Sequence, residues 1–288
     1  SLHDALPIWT RKRIKRMIQK LTSLDSYTDF INDINSDTAF SDPMLSTQEN
    51  IAVNLYKTVE KPNHHVLGVF HDGVITGLFV FLITEDERYI EMLVGLSRLT
   101  AAYEEIAEYL QANYPGFQAD FVFNPANTLL RELLTRRGAS FYEEQQKMVL
   151  SNPCPTVDTN GIEPLTERYK KQYIAMHDTD CYWTGDKVAQ APERFSVFLA
   201  VDNGLVVGYL DVTNCFEENE PFDLMVKEAH RRRGWGRKLL VKAIEANLPK
   251  GMALLVDVGN IPAIKLYESA GFVKVQGKNS LAATWNIN

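Results

Sequence analysis

The residues best suited to chemistry lie in one short turn, HRRRGWGRKLL, which spans His230 to Leu240. Gly234 and Gly236 carry no side chain, so an anion could approach the backbone N–H groups closely. The residues after them place apolar side chains at helical spacing, and the first turn of a helix leaves about four N–H groups unpaired. The turn therefore predicts a site for a phosphate or diphosphate group, and basic side chains surround it at Arg231, Arg232, Arg233, Arg237 and Lys238.

Two common phosphate-binding motifs do not fit this turn. A P-loop would read GxxxxGK[ST], which is absent. A dinucleotide-binding fingerprint would need a third glycine at position 239, where the chain has Leu239. An exposed basic turn without a ligand is the alternative interpretation.

The turn belongs to a layout that occurs twice in the chain. Val66–Ile83 and Phe195–Val212 each read as an apolar run, an Asp-Gly or Asn-Gly turn and a second apolar run, which predicts a β-hairpin. The turn glycine is followed by another glycine four residues later in both hairpins, from Gly73 to Gly77 and from Gly204 to Gly208. We therefore expect two copies of one unit.

The similarity continues after the hairpins. EMLVGLSR aligns with DLMVKEAHR, and each is followed by a helix, a β-run, an asparagine, a second helix and a glycine. Val94 to Asn127 is 33 residues and Val226 to Asn260 is 34, and each asparagine lies 11 residues before the glycine. The basic turn then lies between a strand, FDLMV, and a helix, GRKLLVKAIEAN.

This pattern predicts an α/β fold of the mixed α+β kind, with two units that each hold a mixed, mostly antiparallel sheet flanked by helices. The predicted boundaries are 10–150 for the first unit, 151–160 for a Pro-rich linker and 161–288 for the second unit. Residues 1–9, SLHDALPIW, resemble a translated adapter, so we expect a non-native leader. TRKRIKRMIQKL and TQENIAVNLYKTV are predicted helices that open the first unit.

Composition argues against several classes of protein. The formal net charge of -7 disfavours a nucleic-acid-binding module. No apolar run reaches the 18 or more residues typical of a membrane span, and no secretory signal is evident. The three separated cysteines form no CxxC pair and favour a reducing cytoplasm, and the six histidines show no HxxxH spacing, so no metal site is expected. Nothing in the pattern predicts the number of subunits.

Two segments of the second unit resemble motifs of the GNAT family of N-acyltransferases. LMVKEAHRRRGWGRKLL is similar to the acyl-CoA-binding motif [RQ]-x-x-G-x-[GA], with Arg231, Gly234 and Gly236 at its defined positions. The resemblance covers about residues 161–287 well and residues 66–150 in layout only, and Glu228 stands where many members have proline. GNIPAIKLYESAGF is similar to the second motif, N-x-x-A-x-x-L-Y-x-x-x-G-F, which is filled by Asn260, Ala263, Leu266, Tyr267, Gly271 and Phe272.

The resemblance implies direct transfer of an acyl group, usually from acetyl-CoA, to a primary amine. Asn260 would either contact the pantetheine arm or cap its helix, and Val226 or its neighbour would supply an N–H group to the oxyanion. The cofactor-binding residues that it implies are Leu224, Met225, Val226, Arg231, Arg232, Arg233, Gly234, Trp235, Gly236, Arg237, Lys238 and Asn260.

The chemistry also needs groups that move protons. Attack by a protonated amine requires a proton acceptor, and the leaving thiolate requires a donor. Tyr267 matches the family's general-acid position, with a core tyrosine as the alternative. Asp223 and then Glu220 are the candidate bases, and the acidic ENEPFD segment suits a cationic acceptor, although it could equally be a solvated loop. The pair Tyr182 and Trp183 either borders the acceptor cleft or packs in the core.

The first unit lacks the arginine cluster and has Leu134 where the second has Tyr267. We therefore expect a degenerate copy that keeps the fold without binding the coenzyme, and that either shapes the acceptor site or covers a sheet edge. The predicted function is an acetyl-CoA-dependent N-acetyltransferase that acts on a small-molecule or peptide amine, such as an antibiotic, an amino acid or a protein terminus. A non-catalytic acyl-CoA-binding sensor is the alternative.

Overall fold

The computed structural model describes residues 16–179 and 181–288, so the predicted leader at 1–9 lies outside them. The helices in these residues are α1 (Thr28–Asn35), α2 (Gln48–Asn54), α3 (Thr100–Asn113), α4 (Thr128–Arg136), α5 (Glu167–Ile174), α6 (Gly185–Ala189), α7 (Trp235–Asn247) and α8 (Ile261–Ser269). The strands are β1 (Arg16–Lys20), β2 (His64–His71), β3 (Val74–Thr84), β4 (Tyr89–Ser97), β5 (Gln118–Phe123), β6 (Ser140–Phe141), β7 (Gln145–Leu150), β8 (Ile162–Pro164), β9 (Phe195–Asp202), β10 (Leu205–Thr213), β11 (Glu218–Asn219), β12 (Pro221–Val226), β13 (Gly251–Asp257), β14 (Phe272–Lys274) and β15 (Leu281–Asn286). None of these helices is long and apolar enough to cross a membrane.

The chain divides into two compact units whose limits differ from the predicted boundaries. The first contains the described residues up to Tyr142 together with Ser280–Asn288, and the second is Glu143–Asn279. The reason is an exchange of strands: β7 pairs with β13 and β14 of the second unit, and β15 pairs with β5 and β6 of the first. The expected linker at 151–160 consequently lies wholly within the second unit.

The first unit is built on one seven-stranded sheet in the order β1-β2-β3-β4-β5-β15-β6. β4 and β5 run parallel and the other neighbours are antiparallel. Helices α3 and α4 cover one apolar face, and residues of the N-terminal segment, including Ile31 and Leu45, cover the other. The expected helix in TRKRIKRMIQKL is wrong within the described residues, because Arg16–Lys20 pairs with β2 as an edge strand. The second expected helix corresponds to α2 and the 3₁₀ turn Tyr56–Glu60.

The second unit contains two four-stranded sheets. One has the order β12-β10-β9-β8, and the other has the order β11-β13-β7-β14. Helices α7 and α8 pack in a core that includes Leu240 and Ile264, whereas α5 and α6 pack on the opposite face through Tyr173 and Val188. The predicted mixed α/β architecture with helices flanking the sheets is confirmed.

Both hairpins carry irregularities at matching places. The strand register shifts immediately before Gly77 in the first unit and immediately before Gly208 in the second. It shifts again after Val80 in the β3–β4 pair and after Asp211 in the β10–β12 pair, three residues beyond each glycine. A β-bulge inserts one residue into a ladder, so these shared positions align the two units residue by residue.

The alignment from strand pairing corrects the alignment from sequence spacing. Gly77 pairs with Ser97 and Gly208 pairs with Val226, so Ser97 is the counterpart of Val226, where spacing had suggested Val94. Helix α3 begins at Thr100, three residues after Ser97, and α7 begins at Trp235, nine residues after Val226. The first unit is therefore six residues shorter at the position of the basic turn.

Candidate functional site

An open cleft lies beside strand β12, between the basic turn that begins α7 and the first half of α8. Strand β11, which directly precedes β12, pairs in parallel with Gly251 and Met252 of β13. Beyond it, β12 pairs only with β10 within the described sheets and is the end strand of its sheet. The cleft has a volume of about 620 Å³ and is lined by Leu224, Met225, Val226, His230, Arg231, Arg232, Gly234, Trp235, Gly236, Arg237, Asn260, Pro262, Ala263, Lys265 and Leu266.

The backbone of β12 presents polar groups to this cleft. The Lys227 N–H donates to the Val207 carbonyl of β10 at 2.8 Å. Because successive residues of a strand turn their polar groups to opposite sides, Met225 faces β10 and both Val226 and Leu224 face away from it. The Val226 carbonyl accepts a hydrogen bond from Arg231 Nε at 3.0 Å, which agrees with this direction. The N–H groups of Leu224 and Val226 are therefore directed to the cleft side of the strand.

The turn after β12 requires glycine for two different reasons. Gly234 precedes α7 with φ of 85°, a left-handed conformation that favours glycine. Gly236 lies inside the first helical turn, where a Cβ atom would come within 3.0 Å of Leu266 Cδ2 on α8. The first intrahelical hydrogen bond runs from the Lys238 N–H to the Gly234 carbonyl. The N–H groups of Trp235, Gly236 and Arg237 are thus the unpaired donors of the helix start.

The basic residues of the turn do not all face the cleft. Arg231, Arg232 and Arg237 line the cleft. Arg231 also donates a hydrogen bond from Nε to the Val226 carbonyl. Arg233 is exposed and is not among the lining residues. Lys238 turns to the segment before β8, where Nζ lies 3.2 Å from the Asn160 carbonyl and 3.8 Å from Asp158 Oδ2. His230 and Lys265, which the sequence did not single out, add two further basic side chains to the lining.

Asn260 caps helix α8. Its Oδ1 accepts a hydrogen bond from the Ala263 N–H at 3.2 Å, and the residue also lines the cleft. Asn127 does the same in the first unit, where its Oδ1 accepts from the Leu130 N–H at 3.2 Å. Because both units keep this bond, helix capping accounts for the repeated asparagine without a ligand.

Tyr267 extends from α8 into the apolar core beside the cleft, with its ring edge against Phe272 at 5.8 Å. Among the described residues its hydroxyl has no hydrogen-bond partner. Burial, together with the nearby negative charges of Glu220 and Asp223, raises the pKa of Tyr267 to about 12. The hydroxyl therefore stays protonated near neutral pH. The three predicted catalytic side chains, Tyr267, Glu220 and Asp223, are close enough to interact electrostatically.

The two carboxylates have different surroundings. Burial raises the pKa of Glu220, which accepts a hydrogen bond from the Leu255 N–H of β13. Asp223 is 42% exposed and its Oδ2 accepts a hydrogen bond from the Tyr209 hydroxyl at 2.7 Å. Leu224 and Val226 pack with α7, whereas Met225 packs with α5 and α6. Strand alternation puts Asp223 on the face of Met225, opposite to α7.

A buried histidine behind Asp223 was missed by the sequence analysis. His177 Nε2 lies 3.2 Å from Asp211 Oδ2 and Nδ1 lies 3.7 Å from Asp223 Oδ2, and the His177 side chain is 2% exposed. Within residues 16–179 and 181–288, these three are the group of His, Cys, Asp or Glu side chains whose potential ligand atoms all lie within 4.8 Å of one another. Their sequence spacing, 34 and 12 residues, carries no motif that would have signalled the group.

The aromatic pair after this histidine has two environments. Trp183 packs edge-on against Phe195 at 4.9 Å, with the Arg194 guanidinium 5.1 Å from its ring. Tyr182 is 74% exposed and lies under the Lys187 ammonium at 4.2 Å. Core packing therefore accounts for Trp183 but not for Tyr182.

Part of the second unit is similar to known acetyltransferases. Residues 193–274 match the family model described as an acetyltransferase (GNAT) domain. Over 83 residues the chain is 34% identical to the [Ribosomal protein bS18]-alanine N-acetyltransferase of Escherichia coli (strain K12), and the proteins of that name from Escherichia coli O157:H7 and Shigella flexneri match equally. The match covers 28% of this chain and spans 56% of the length of those relatives.

Two solved structures resemble nearly the whole chain. A GCN5-related N-acetyltransferase from Sphaerobacter thermophilus matches with a TM-score of 0.66 at 12% identity, covering 95% of this chain and 96% of that one. A tandem GNAT protein from the clavulanic acid biosynthesis pathway matches with a TM-score of 0.56 at 13% identity, covering 95% and 99%. At these identities the likeness shows the fold alone. The family match, in turn, identifies a GNAT acetyltransferase domain at residues 193–274.

Proposed function

We propose that the second unit transfers an acetyl group from acetyl-CoA to a primary amine by direct attack in a ternary complex. The observation that carries the proposal is the cleft. It combines the outward N–H groups of β12, the unpaired N–H groups that begin α7 and the side chains of Arg232 and Arg237. An elongated coenzyme with an anionic diphosphate and an amide-containing arm is complementary to this set of donors.

Each part of the coenzyme has a complementary surface. The diphosphate would accept hydrogen bonds from the N–H groups of Trp235, Gly236 and Arg237, with Arg232 adding charge. The pantetheine arm would run along the outer edge of β12, where Leu224 and Val226 direct their backbone groups. The thioester would then lie where β12 and β13 diverge, near Tyr267. Arg233 and Lys238 would contribute only long-range charge.

The reaction needs one proton acceptor and one proton donor. The lone pair of a neutral amine attacks the thioester carbon, and the resulting oxyanion accepts a hydrogen bond from the Leu224 or Val226 N–H. Asp223 or Glu220 takes the proton from the amine nitrogen. The carbon–sulfur bond breaks, and the leaving thiolate takes the proton of the Tyr267 hydroxyl. The Tyr267 hydroxyl has no hydrogen-bond partner among the described residues, so it can turn to the thiolate, and its raised pKa keeps the proton on the hydroxyl until then.

The acceptor is proposed to be a small-molecule or peptide amine. An acidic rim beside β12, including Glu217, Glu218 and Asp223, favours approach of a cation over approach of an anion. The name of the Escherichia coli relative specifies an alanine of a ribosomal protein, which makes a peptide amine a reasonable first substrate to test. Cys154, Cys181 and Cys215 are free thiols, which supports the cytoplasm as the compartment.

The first unit is proposed to bind no acetyl-CoA. Gly95 is the counterpart of Leu224, because each pairs with the residue two positions beyond the aligned glycine. The Gly95 N–H donates to Asp42 Oδ2 at 2.8 Å, so a side chain of the same unit occupies the donor that a pantetheine arm would need. The same segment is held at Thr38, whose carbonyl accepts from Asn124 Nδ2 at 2.9 Å. The missing six residues remove the diphosphate site as well.

A non-catalytic acyl-CoA sensor is the second candidate function, because it would need the cleft alone. Two experiments separate the candidates. Thermal unfolding with acetyl-CoA at about 100 times its Kd should show a stabilisation of about 2.7 kcal/mol, with no effect of NAD or ATP, and calorimetric titration should give one acetyl-CoA per chain. A response to NAD or ATP without one to acetyl-CoA would contradict the proposal.

Release of the coenzyme thiol in the presence of an amine panel then tests for transfer. The panel should include a peptide with an N-terminal alanine, free amino acids and an aminoglycoside. Amine-dependent thiol release supports the enzyme. Tight binding of acetyl-CoA without release for any amine supports the sensor.

A further inference from the structure

The side chains behind Asp223 form a closed polar group inside the second unit. His177 lies between two tyrosine rings, stacked on Tyr209 at 4.2 Å and edge-on to Tyr173 at 4.6 Å. The Tyr173 hydroxyl donates to Asp211 Oδ1 at 2.8 Å. A Cβ atom on Gly185 would come within 2.7 Å of His177 Cδ2, so the absence of a side chain there leaves the imidazole its space.

Burial of this polar group costs free energy of folding. Asp211 is fully buried and the His177 side chain nearly so. Neither ring nitrogen of His177, nor Asp211 Oδ2, makes a well-directed hydrogen bond. Well-packed apolar residues of similar volume would give equal or greater stability than a buried ionisable pair. The stability of the fold therefore does not explain why these two residues are present.

The geometry links the buried pair to the proposed reaction centre. The two imidazole nitrogens approach different carboxylates, Nε2 towards the buried Asp211 and Nδ1 towards the partly exposed Asp223. The 3.7 Å from Nδ1 to Asp223 Oδ2 is longer than a hydrogen bond, and such catalytic contacts often shorten when substrates bind. The imidazole thus lies between one buried and one partly exposed carboxylate.

We propose that His177, backed by Asp211, is a positioning residue that holds Asp223 as the carboxylate that takes the proton from the acceptor amine. The inference rests on the proposed function and selects Asp223 over Glu220. The Asp223 carboxylate accepts a hydrogen bond from the Tyr209 hydroxyl and lies 3.7 Å from the His177 ring, on the face opposite to α7 and the proposed diphosphate site. An acceptor amine that approaches the face of β12 opposite to α7 would meet Asp223, and the thioester would approach from the α7 side.

The proton balance is simple. The nitrogen–hydrogen bond of the ammonium or of the tetrahedral intermediate breaks, and the proton passes to an Asp223 oxygen. The His177 ring takes no proton from the amine; it orients the carboxylate before transfer. The titratable groups that face the imidazole are Asp211 and Tyr209 from β10, Asp223 from β12 and Tyr173 from α5, and Cys181 lies near Tyr209.

The test is steady-state kinetics of the full chain carrying His177→Gln. We expect kcat to fall about tenfold to a hundredfold, less than loss of the proton transfer itself, with KM for acetyl-CoA unchanged. The acid limb of the kcat/KM–pH profile should move to higher pH, because Asp223 loses a neighbour that stabilises its charged form. His65→Gln is the matched control, since this histidine of the first unit also packs edge-on against a tyrosine, at 6.5 Å.

Two milder variants cover the case in which His177→Gln unfolds. Asp211→Asn and Tyr209→Phe keep the side-chain volumes, and each should shift the acid limb in the same direction by a smaller amount. Folded variants that bind acetyl-CoA and keep the wild-type kcat and pH profile would overturn the inference.

Three other results would also overturn it. One is a wild-type acid limb that disappears in Glu220→Gln and persists in Asp223→Asn. Another is activity that chelation abolishes and a divalent cation restores, which would make the group a metal site. Absence of turnover in the wild type would overturn the proposed function and this inference with it, whereas the other outcomes leave the proposed function intact.

Discussion

The two units start from the same hairpin and differ at one strand end. In the second unit, nine residues lead from Val226 to the first residue of α7, and the outward N–H groups of β12 face an open cleft. In the first unit, three residues lead from Ser97 to α3, and the Gly95 N–H is already bonded to Asp42. The bulges occur at the same places in both units, so the strand pairing is the same whether the loop is long or short. The comparison teaches that two units with the same sheet can differ in whether the strand-to-helix loop and the free strand edge leave a cleft open.

The shared residues also separate fold from function. Asn127 and Asn260 cap corresponding helices in both units. The position of Tyr267 holds Leu134 in the first unit, which packs in the core. A residue that both units keep is thus explained by the fold, and a residue that only one unit has is a candidate for chemistry.

The largest expected effect is the loss of acetyl-CoA binding in Gly236→Glu. The new carboxylate would repel the diphosphate at the start of α7, and its Cβ would press on Leu266. Isothermal titration calorimetry measures the loss, and the thermal unfolding temperature shows whether the chain still folds. Ala101→Glu is the matched control, because Ala101 is likewise the second residue of its helix, α3. If Ala101→Glu weakened acetyl-CoA binding, the two units would be more alike in function than proposed.

The next effect is a pair of opposite results for two tyrosines. Tyr267→Phe should lower kcat by about 10²- to 10⁴-fold with unchanged acetyl-CoA binding and stability, because its hydroxyl has no partner to lose among the described residues. Tyr103→Phe in the first unit should leave kcat unchanged. It should lower the free energy of unfolding by about 1 kcal/mol, since its hydroxyl donates to the Ser97 carbonyl and accepts from Asn127 Nδ2. Thiol-release kinetics and urea unfolding measure both quantities, and unchanged turnover in Tyr267→Phe would remove Tyr267 from the reaction.

The smallest effect concerns pH and the side chain that fills the first unit. Burial raises the pKa of Asp42 to about 7, although the N–H groups of Gly95 and Met44 oppose the shift. The folded chain then binds more protons than the unfolded chain between about pH 4 and pH 7, so the free energy of unfolding falls as pH rises through that window. The loss is at most roughly 4 kcal/mol. Urea unfolding should show this slope in the wild type and lose it in Asp42→Asn, and equal slopes would mean that Asp42 is solvated.

The sequence predicted the local features of the site because they depend on neighbouring residues. Gly234 and Gly236, the arginines around them and the amphipathic run that follows are enough to place an anion site at a strand-to-helix turn. For Asn260 the sequence left a helix cap and a pantetheine contact as alternatives, and the structure shows the cap. Lys238 belongs to the same run of letters, yet its ammonium bonds to the segment around Asn160, because the direction of a long side chain depends on what is packed beside it.

Other features depended on partners far away in the chain. The segment Arg16–Lys20 looked helical but is a strand, because β2 supplies its hydrogen bonds. The apolar pattern of β7 and β15 showed two strands but not which sheet each would join. The assembly of His177, Asp211 and Asp223 joins α5, β10 and β12, and no spacing along the chain encodes it.

The sequence by itself thus determined the repeated layout and the basic, glycine-containing turn, and it indicated the family of the second unit, since those rest on contiguous residues and on the periods of helices and strands. Only the tertiary structure decided the residue-level alignment of the units, the exchanged strands, the filled first unit and the buried histidine behind Asp223. Pairing register and burial are set by contacts between distant segments, and a linear pattern does not contain them.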